Sequence, residues 1–276
     1  LEQPHGDSIV FLGSGGARIV VAKQVRASGG IWLELAGTRL LLDPGPGSLV
    51  RITSSRHGLD PAKLDAILLS HRHLDHAADV NVMVEAMTTG GTEVRGRLFA
   101  PTDALEGEDP VVLRYLRQFL AEVVVLEEGC SWRVGDVEFS CPVRHRHRGE
   151  VYGFRFSSPG LTLSYVADTA FFPELAEHYR ADVMVLNVVR DKPSGLDHLH
   201  APEAADIIAA AQPRLAVITH FGMTMINARP WLVAEAMSEK TGVRVVAASD
   251  GRMIDLEPYR KPPGSKNRSP GGAAHG

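Results

Sequence analysis

The chain has 276 residues, 44% of them hydrophobic and 22% charged, and a formal net charge of −4 at pH 7. That length and apolar content can bury a substantial core, as one large domain or two small ones. The mildly acidic balance gives no global attraction to nucleic acid or to anionic membranes. The longest apolar runs, such as 181-ADVMVLNVV-189, are too short to span a bilayer.

The N-terminal stretch LEQPHGDSIVFLGSGG has neither the basic region nor the apolar stretch of a signal peptide, and it lacks an initiator methionine. Short runs that are β-branched or aromatic, bounded by Gly, Pro or Asp, predict strands at 8–12, 31–35, 39–43, 65–70, 123–126, 137–141, 151–156, 161–168, 183–188, 215–220 and 243–249. Between them helix is expected over 76–88, with Val80, Val84 and Met87 on one face. A second helix is expected over 202–211, where Pro202 takes a first-turn position and Ile207, Ile208 and Ala211 share a face. A third is expected over 230–239, with Trp231, Ala234 and Met237 inward. Strands and hairpins dominate the first half and helices alternate with strands later, which predicts a mixed α/β sandwich over residues 1–260. The tail, 261-KPPGSKNRSPGGAAHG-276, is rich in Pro, Gly and Ser without an apolar period and reads as disordered. Cys130 and Cys141 are not spaced as a metal pair and fit a reduced, cytoplasmic setting.

The chemistry concentrates in 67-ILLSHRHLDHAADV-80. Crowding His71, His73, Asp75 and His76 behind a buried strand is costly unless they are satisfied or bound to something positive. Residues two apart in extended chain point the same way, so His71 and His73 can face one ion. Asp75 and His76, at the turn into the helix, can face a second. More ligands are available at other strand ends: His147 after 137–141, Asp168 closing 161–168, and His220 closing 215–220. These are the positions where sites of α/β folds gather. Seven such groups suit two metals bridged by a carboxylate and a hydroxide.

This order of residues resembles the ligand set of the metallo-β-lactamase fold hydrolases, over about residues 8–256. The resemblance implies a four-layer αββα sandwich. It also implies a first ion held by His71, His73 and His147, a second by Asp75, His76 and His220, and Asp168 bridging them. Within 144-RHRHR-148 either His145 or His147 could be the ligand. In ribonuclease Z-like members the ligand stands six residues before a Gly-Phe or Gly-Tyr pair, and Gly153-Phe154 favours His147. The same group suggests His198 as a proton donor and gives Asp75 a catalytic part. His200 stands where a helix N-cap would. Asp43 would orient the histidine loop through backbone hydrogen bonds, with Ser70 and Asp250 in similar roles. The glycines of 12-LGSGGAR-18 read as a bare turn, because the lysine of a phosphate-binding loop is absent.

The implied function is a dinuclear metal-dependent hydrolase working through a metal-bridging hydroxide. Zinc is the first choice of metal, and iron or manganese is compatible with an all-N/O site. A phosphodiester is the leading substrate, because Arg72, Arg144, Arg146 and Arg148 would ring the site with positive charge. A lactonase or β-lactamase acting on a cyclic carbonyl is the alternative. The expected partner is thus a small anionic or cyclic substrate. RNA is less favoured: Asp79 and Val80 depart from the ribonuclease Z pattern, and no long Gly/Pro-rich arm is evident. A homodimer is compatible with the sequence, and no membrane partner is implied.

Overall fold

The computed structural model describes residues 6–261. The tail expected to be disordered therefore lies outside the described residues, except for Lys261. Fourteen strands are described: β1 (Ser8–Phe11), β2 (Ile31–Leu35), β3 (Thr38–Leu42), β4 (Ala66–Leu68), β5 (Arg97–Ala100), β6 (Glu122–Val125), β7 (Ser131–Val134), β8 (Val137–Ser140), β9 (Phe154–Ser158), β10 (Leu161–Val166), β11 (Val183–Asn187), β12 (Leu215–Thr219), β13 (Val245–Ala247) and β14 (Arg252–Asp255). They form two seven-stranded sheets, ordered β14-β1-β2-β3-β4-β5-β6 and β13-β12-β11-β10-β9-β8-β7.

Each sheet is antiparallel on one side and parallel on the other. In the first, β3 through β6 run parallel. In the second, β10 through β13 do. Residues of alternate parity, such as Phe11, Leu33 and Leu42 from one sheet and Phe139, Phe154, Phe156 and Val185 from the other, close the core between the sheets. Each fully buried side chain of this kind contributes roughly 1.5–3 kcal/mol. The outer face of the first sheet is covered by the helix Val80–Met87 through Val80, Val84 and Met87. The outer face of the second is covered by the helices Ala201–Ala211 and Pro230–Thr241. The layers are therefore helix, sheet, sheet, helix: the αββα sandwich that the sequence led us to expect.

Two helices differ from expectation. The 76–88 segment is two helices, Leu74–Ala77 and Val80–Met87. Between them the Asp79 amide donates to the Pro44 carbonyl, and its carboxylate accepts from the Leu49 amide. These bonds draw the chain toward the loop after β3 and interrupt the first helix. In Pro230–Thr241 the inward face is Pro230, Ala234 and Met237, spaced i, i+4, i+7, so Trp231 stands one position off it and is 58% exposed.

The parallel strands of both sheets deliver the site. Leu42 pairs with Leu68 across β3 and β4, which sets Asp43 beside Ser70. Asn187 pairs with Thr219 across β11 and β12, which sets β11 beside His220. Asp168 leaves β10 two residues beyond Val166, which pairs with Leu186. Thus the C-terminal ends of β3, β4, β10, β11 and β12 converge at one end of the sandwich.

Candidate metal centre

At that end His71, His76 and His147 share one arrangement. His71 turns Nδ1 to the Ser70 hydroxyl at 2.9 Å, while its Nε2 lies 2.9 Å from His73 Nδ1. His147 turns Nδ1 to the Asp197 carbonyl at 2.8 Å and brings Nε2 within 3.4 Å of His73 Nδ1. His76 turns Nδ1 to the Asp43 carboxylate at 2.9 Å, and its buried Nε2 has no hydrogen-bond partner among the described residues. The inward Nε2 of His220 is likewise buried and unpartnered. One ring nitrogen held by an outer partner and the other turned to a common point is how metal-ligating histidines are oriented.

The carboxylates complete two groups. Asp75 Oδ2 lies 3.5 Å from His220 Nε2 and 4.0 Å from His76 Nε2, and it accepts from the Ala17 amide. Asp168 places Oδ1 3.4 Å from His220 Nε2 and Oδ2 3.5 Å from His76 Nε2. Donor atoms of His71, His73 and His147 lie within 4.8 Å of one another, as do those of Asp75, His76 and His220, and of His71, His76 and Asp168. All seven expected residues are brought together.

The charge balance follows from burial and proximity. Burial drives the His71 imidazole well below its ordinary pKa, and His73 is lowered by burial and by the neighbouring His147. His76 goes the other way: burial pulls it down, but Asp75, Asp43 and Asp168 together hold it well above the usual value. Burial would raise Asp168, yet His220 and His76 keep it well below the usual carboxylate range. Asp75 is lowered in the same manner by His76 and His220 against the effect of burial.

His145 has a different place. Its Nδ1 meets the Asp168 carbonyl at 3.2 Å and its Nε2 meets the Tyr179 hydroxyl at 2.8 Å, so neither ring nitrogen is turned to the common point. Burial pushes its pKa down to about 4, which keeps it neutral. His198 lies at the edge of the site, Nδ1 3.5 Å from Asp168 Oδ2, with its pKa lowered by burial against the pull of Asp168. With His147 and Asp168 it forms a further group of convergent donors. His200 is the N-cap of Ala201–Ala211, accepting from the Glu203 amide in a capping box.

Residues 38–221 match the family described as a β-lactamase superfamily domain. An uncharacterized protein of Methanocaldococcus jannaschii is 34% identical over 257 residues, 90% of this chain and 94% of its own. Ribonuclease Z of Methanopyrus kandleri is 33% identical over 108 residues, 38% of this chain and 37% of that protein. The chain belongs to the β-lactamase superfamily. Among solved structures, the metallo-β-lactamase fold protein YhfI from Bacillus subtilis superposes with a TM-score of 0.74 at 18% identity, covering 90% of this chain and 99% of that one. A diphosphatase of the PhnP family gives 0.66 at 22%, covering 91% and 98%. The protein is a hydrolase of the metallo-β-lactamase fold, with His and Asp groups able to hold divalent metal.

In this superfamily member several supporting residues were not visible in the sequence. Asn187 donates to Asp168 Oδ1 at 2.9 Å and to the Tyr165 hydroxyl, which in turn donates to Asp43. A lone amide closing the apolar run 183-VMVLN-187 was the available signal; Tyr165 offered none. Asp43 behaves as expected, accepting from the Ser70 amide and hydroxyl, each at 2.6 Å. Asp250 does not support the histidine loop: its carboxylate binds the Ser14 and Ala27 amides and so fixes the glycine loop. That loop is more than a bare turn, because a Cβ on Gly16 would run into the His220 ring. Gly45 similarly leaves no room for a Cβ against the Asp75 carbonyl. Of the four expected arginines only Arg72 and Arg148 face the cleft beside His73, where Arg18 joins them. Arg146 instead stacks over Phe172, and Arg144 donates to the Gly149 carbonyl.

Proposed function

We propose that the protein is a dinuclear metal-dependent hydrolase of small phosphodiesters. The observation that carries this reading is the set of imidazoles anchored at one ring nitrogen and turned inward at the other, next to an arginine-lined cleft. His71, His73 and His147 would hold one ion, Asp75, His76 and His220 the other, and Asp168 faces both groups. The orphaned buried nitrogens of His76 and His220 fit such ions, and the N/O donor set suits zinc, iron or manganese. When bound, two such ions supply Lewis acidity that polarises a phosphoryl oxygen and brings water into deprotonation range near pH 7.

The chain's own residues do the rest. Asp43, through Ser70 and His76, fixes the histidine loop, and Asn187 fixes the Asp168 carboxylate. His198 stands where it can pass a proton to the leaving oxygen. An arriving phosphodiester anion favours its protonated form against the effect of burial. The arginines favour an anionic substrate over a neutral lactone. Relatives named ribonuclease Z and a diphosphatase of the PhnP family agree with phosphoester chemistry.

The test is purified protein reconstituted with zinc and assayed on a phosphodiester, a phosphotriester, a lactone and a β-lactam, with metal counted by elemental analysis. Two ions per chain and preference for the phosphodiester are expected. No bound metal, or a lactone or β-lactam turned over far better, would overturn the reading.

A further inference from the structure

Beside the metal centre lies an open cleft of about 530 Å³, lined by Arg18, Arg72, His73, Leu74, Asp109, Val111, Arg148 and Gly149. His73 is its one contact with the proposed ligands, so the cleft meets the site on the side of His71, His73 and His147. Its walls are tied together by one carboxylate. Asp103 Oδ2 sits 3.6 Å from Arg72 Nε and accepts from the Glu150 amide, joining the histidine loop to the segment that carries Arg148. Arg72 is held further by the Asp109 carbonyl. Arg18 and Arg148 form no ion pair within 4.0 Å among the described residues, although Asp109 shares the cleft. The cleft thus has one arginine committed to structure and two exposed guanidiniums free to form forked bonds to an anion.

We infer that this cleft binds a second phosphate of the substrate, away from the scissile one. The inference rests on the proposed phosphodiesterase reading and narrows it to diesters that carry an additional phosphate group. Leu74 and Val111 supply an apolar surface for the part of the substrate between the two phosphates.

The test compares the p-nitrophenyl ester of thymidine 5′-phosphate with and without a 3′-phosphate, on zinc-loaded protein. Both lose the same p-nitrophenolate, so only the distant charge differs. The 3′-phosphate should raise kcat/KM about tenfold or more, as one or two charge-assisted hydrogen bonds would. The Arg18→Ala/Arg148→Ala protein should lose that ratio. Independently, inorganic pyrophosphate is titrated calorimetrically into metal-free protein, where it should bind the wild type at least tenfold more tightly than the double variant. Equal affinities, or an unchanged ratio, would overturn the inference. If neither ester is cleaved while pyrophosphate binding still needs the arginines, the cleft stands and the phosphodiesterase reading fails. Competition by oligoribonucleotides that strengthens with their length beyond pyrophosphate would overturn it in favour of RNA.

Discussion

The two halves of the candidate metal centre are built differently. On the side of Asp75, His76 and His220, outer groups reach deep into the sandwich: Asp43 is held by Ser70 and Tyr165, Asn187 braces Asp168, and Gly16 backs the His220 ring. His76 and His220 are 1% and 5% exposed. On the other side only His71 is buried, while His73 and His147 are half-buried and His73 lines the cleft. Their support is sparse, a serine hydroxyl and one loop carbonyl. The buried half is pre-organised by the fold, and the open half borders the cleft.

Asp168 faces both halves, so Asp168→Ala should have the largest effect. Both metal equivalents and all hydrolysis above background should be lost, as read by elemental analysis and assay. Retention of two ions would break the comparison, because no residue would then join the halves. In the open half, His147→Ala should lose metal and activity together. His145→Ala should retain most metal and instead lower stability by about 1–3 kcal/mol in chemical denaturation, the cost of losing its buried hydrogen bonds to the Tyr179 hydroxyl and the Asp168 carbonyl. The reverse outcome would make His145 the ligand.

His198→Ala should slow hydrolysis of diesters with alkoxide leaving groups by about 10²–10⁴-fold and of nitrophenyl esters much less, with metal retained. Equal slowing of both would give His198 a role in binding. A change in the buried half sharpens the contrast. Asn187→Ala leaves every candidate ligand in place but removes the hydrogen bond to the Asp168 carboxylate, and it should cost about 10–100-fold in metal affinity or activity. No effect on either would show that the Asp168 carboxylate needs no brace.

What was legible in the sequence follows the same division. The cluster of candidate ligands could be read because histidine and aspartate in short loops after apolar runs have few structural uses. The sandwich could be read because most of its strands are apolar runs, β-branched or aromatic, with clear ends at Gly, Pro or Asp. β5, β7 and β14 were missed: 97-RLFA-100, 131-SWRV-134 and 252-RMID-255 are short and carry arginine, and the last two form sheet edges, where only one neighbour pairs. The supporting groups were hidden for a different reason. Asn187, Tyr165 and Gly16 act through contacts between residues far apart in sequence, and nothing local to them marks those contacts. His220 and Asp43 sit at positive φ, 62° and 48°, a conformation that those residue types adopt more readily than most but that periodicity does not reveal.

The smallest effect expected concerns the charge around the open half. All four arginines of 72 and 144–148 look equivalent in sequence, yet only Arg72 and Arg148 line the cleft, while Arg146 is spent over the Phe172 ring at 4.5 Å. Attraction between an exposed arginine and an approaching phosphodiester is screened over about 8 Å at physiological salt. So kcat/KM for a phosphodiester should fall as salt rises, and Arg148→Gln should flatten that slope, because it removes a charge from the substrate's path. Arg146→Gln should change it little, and should instead show a small loss of stability, since a cation–π contact at an exposed site is worth about 0.5–1 kcal/mol. A neutral lactone should show no salt dependence in any of these proteins. If both substitutions flattened the slope equally, the general charge of the loop would steer the substrate, and the cleft would have no special part in the open half.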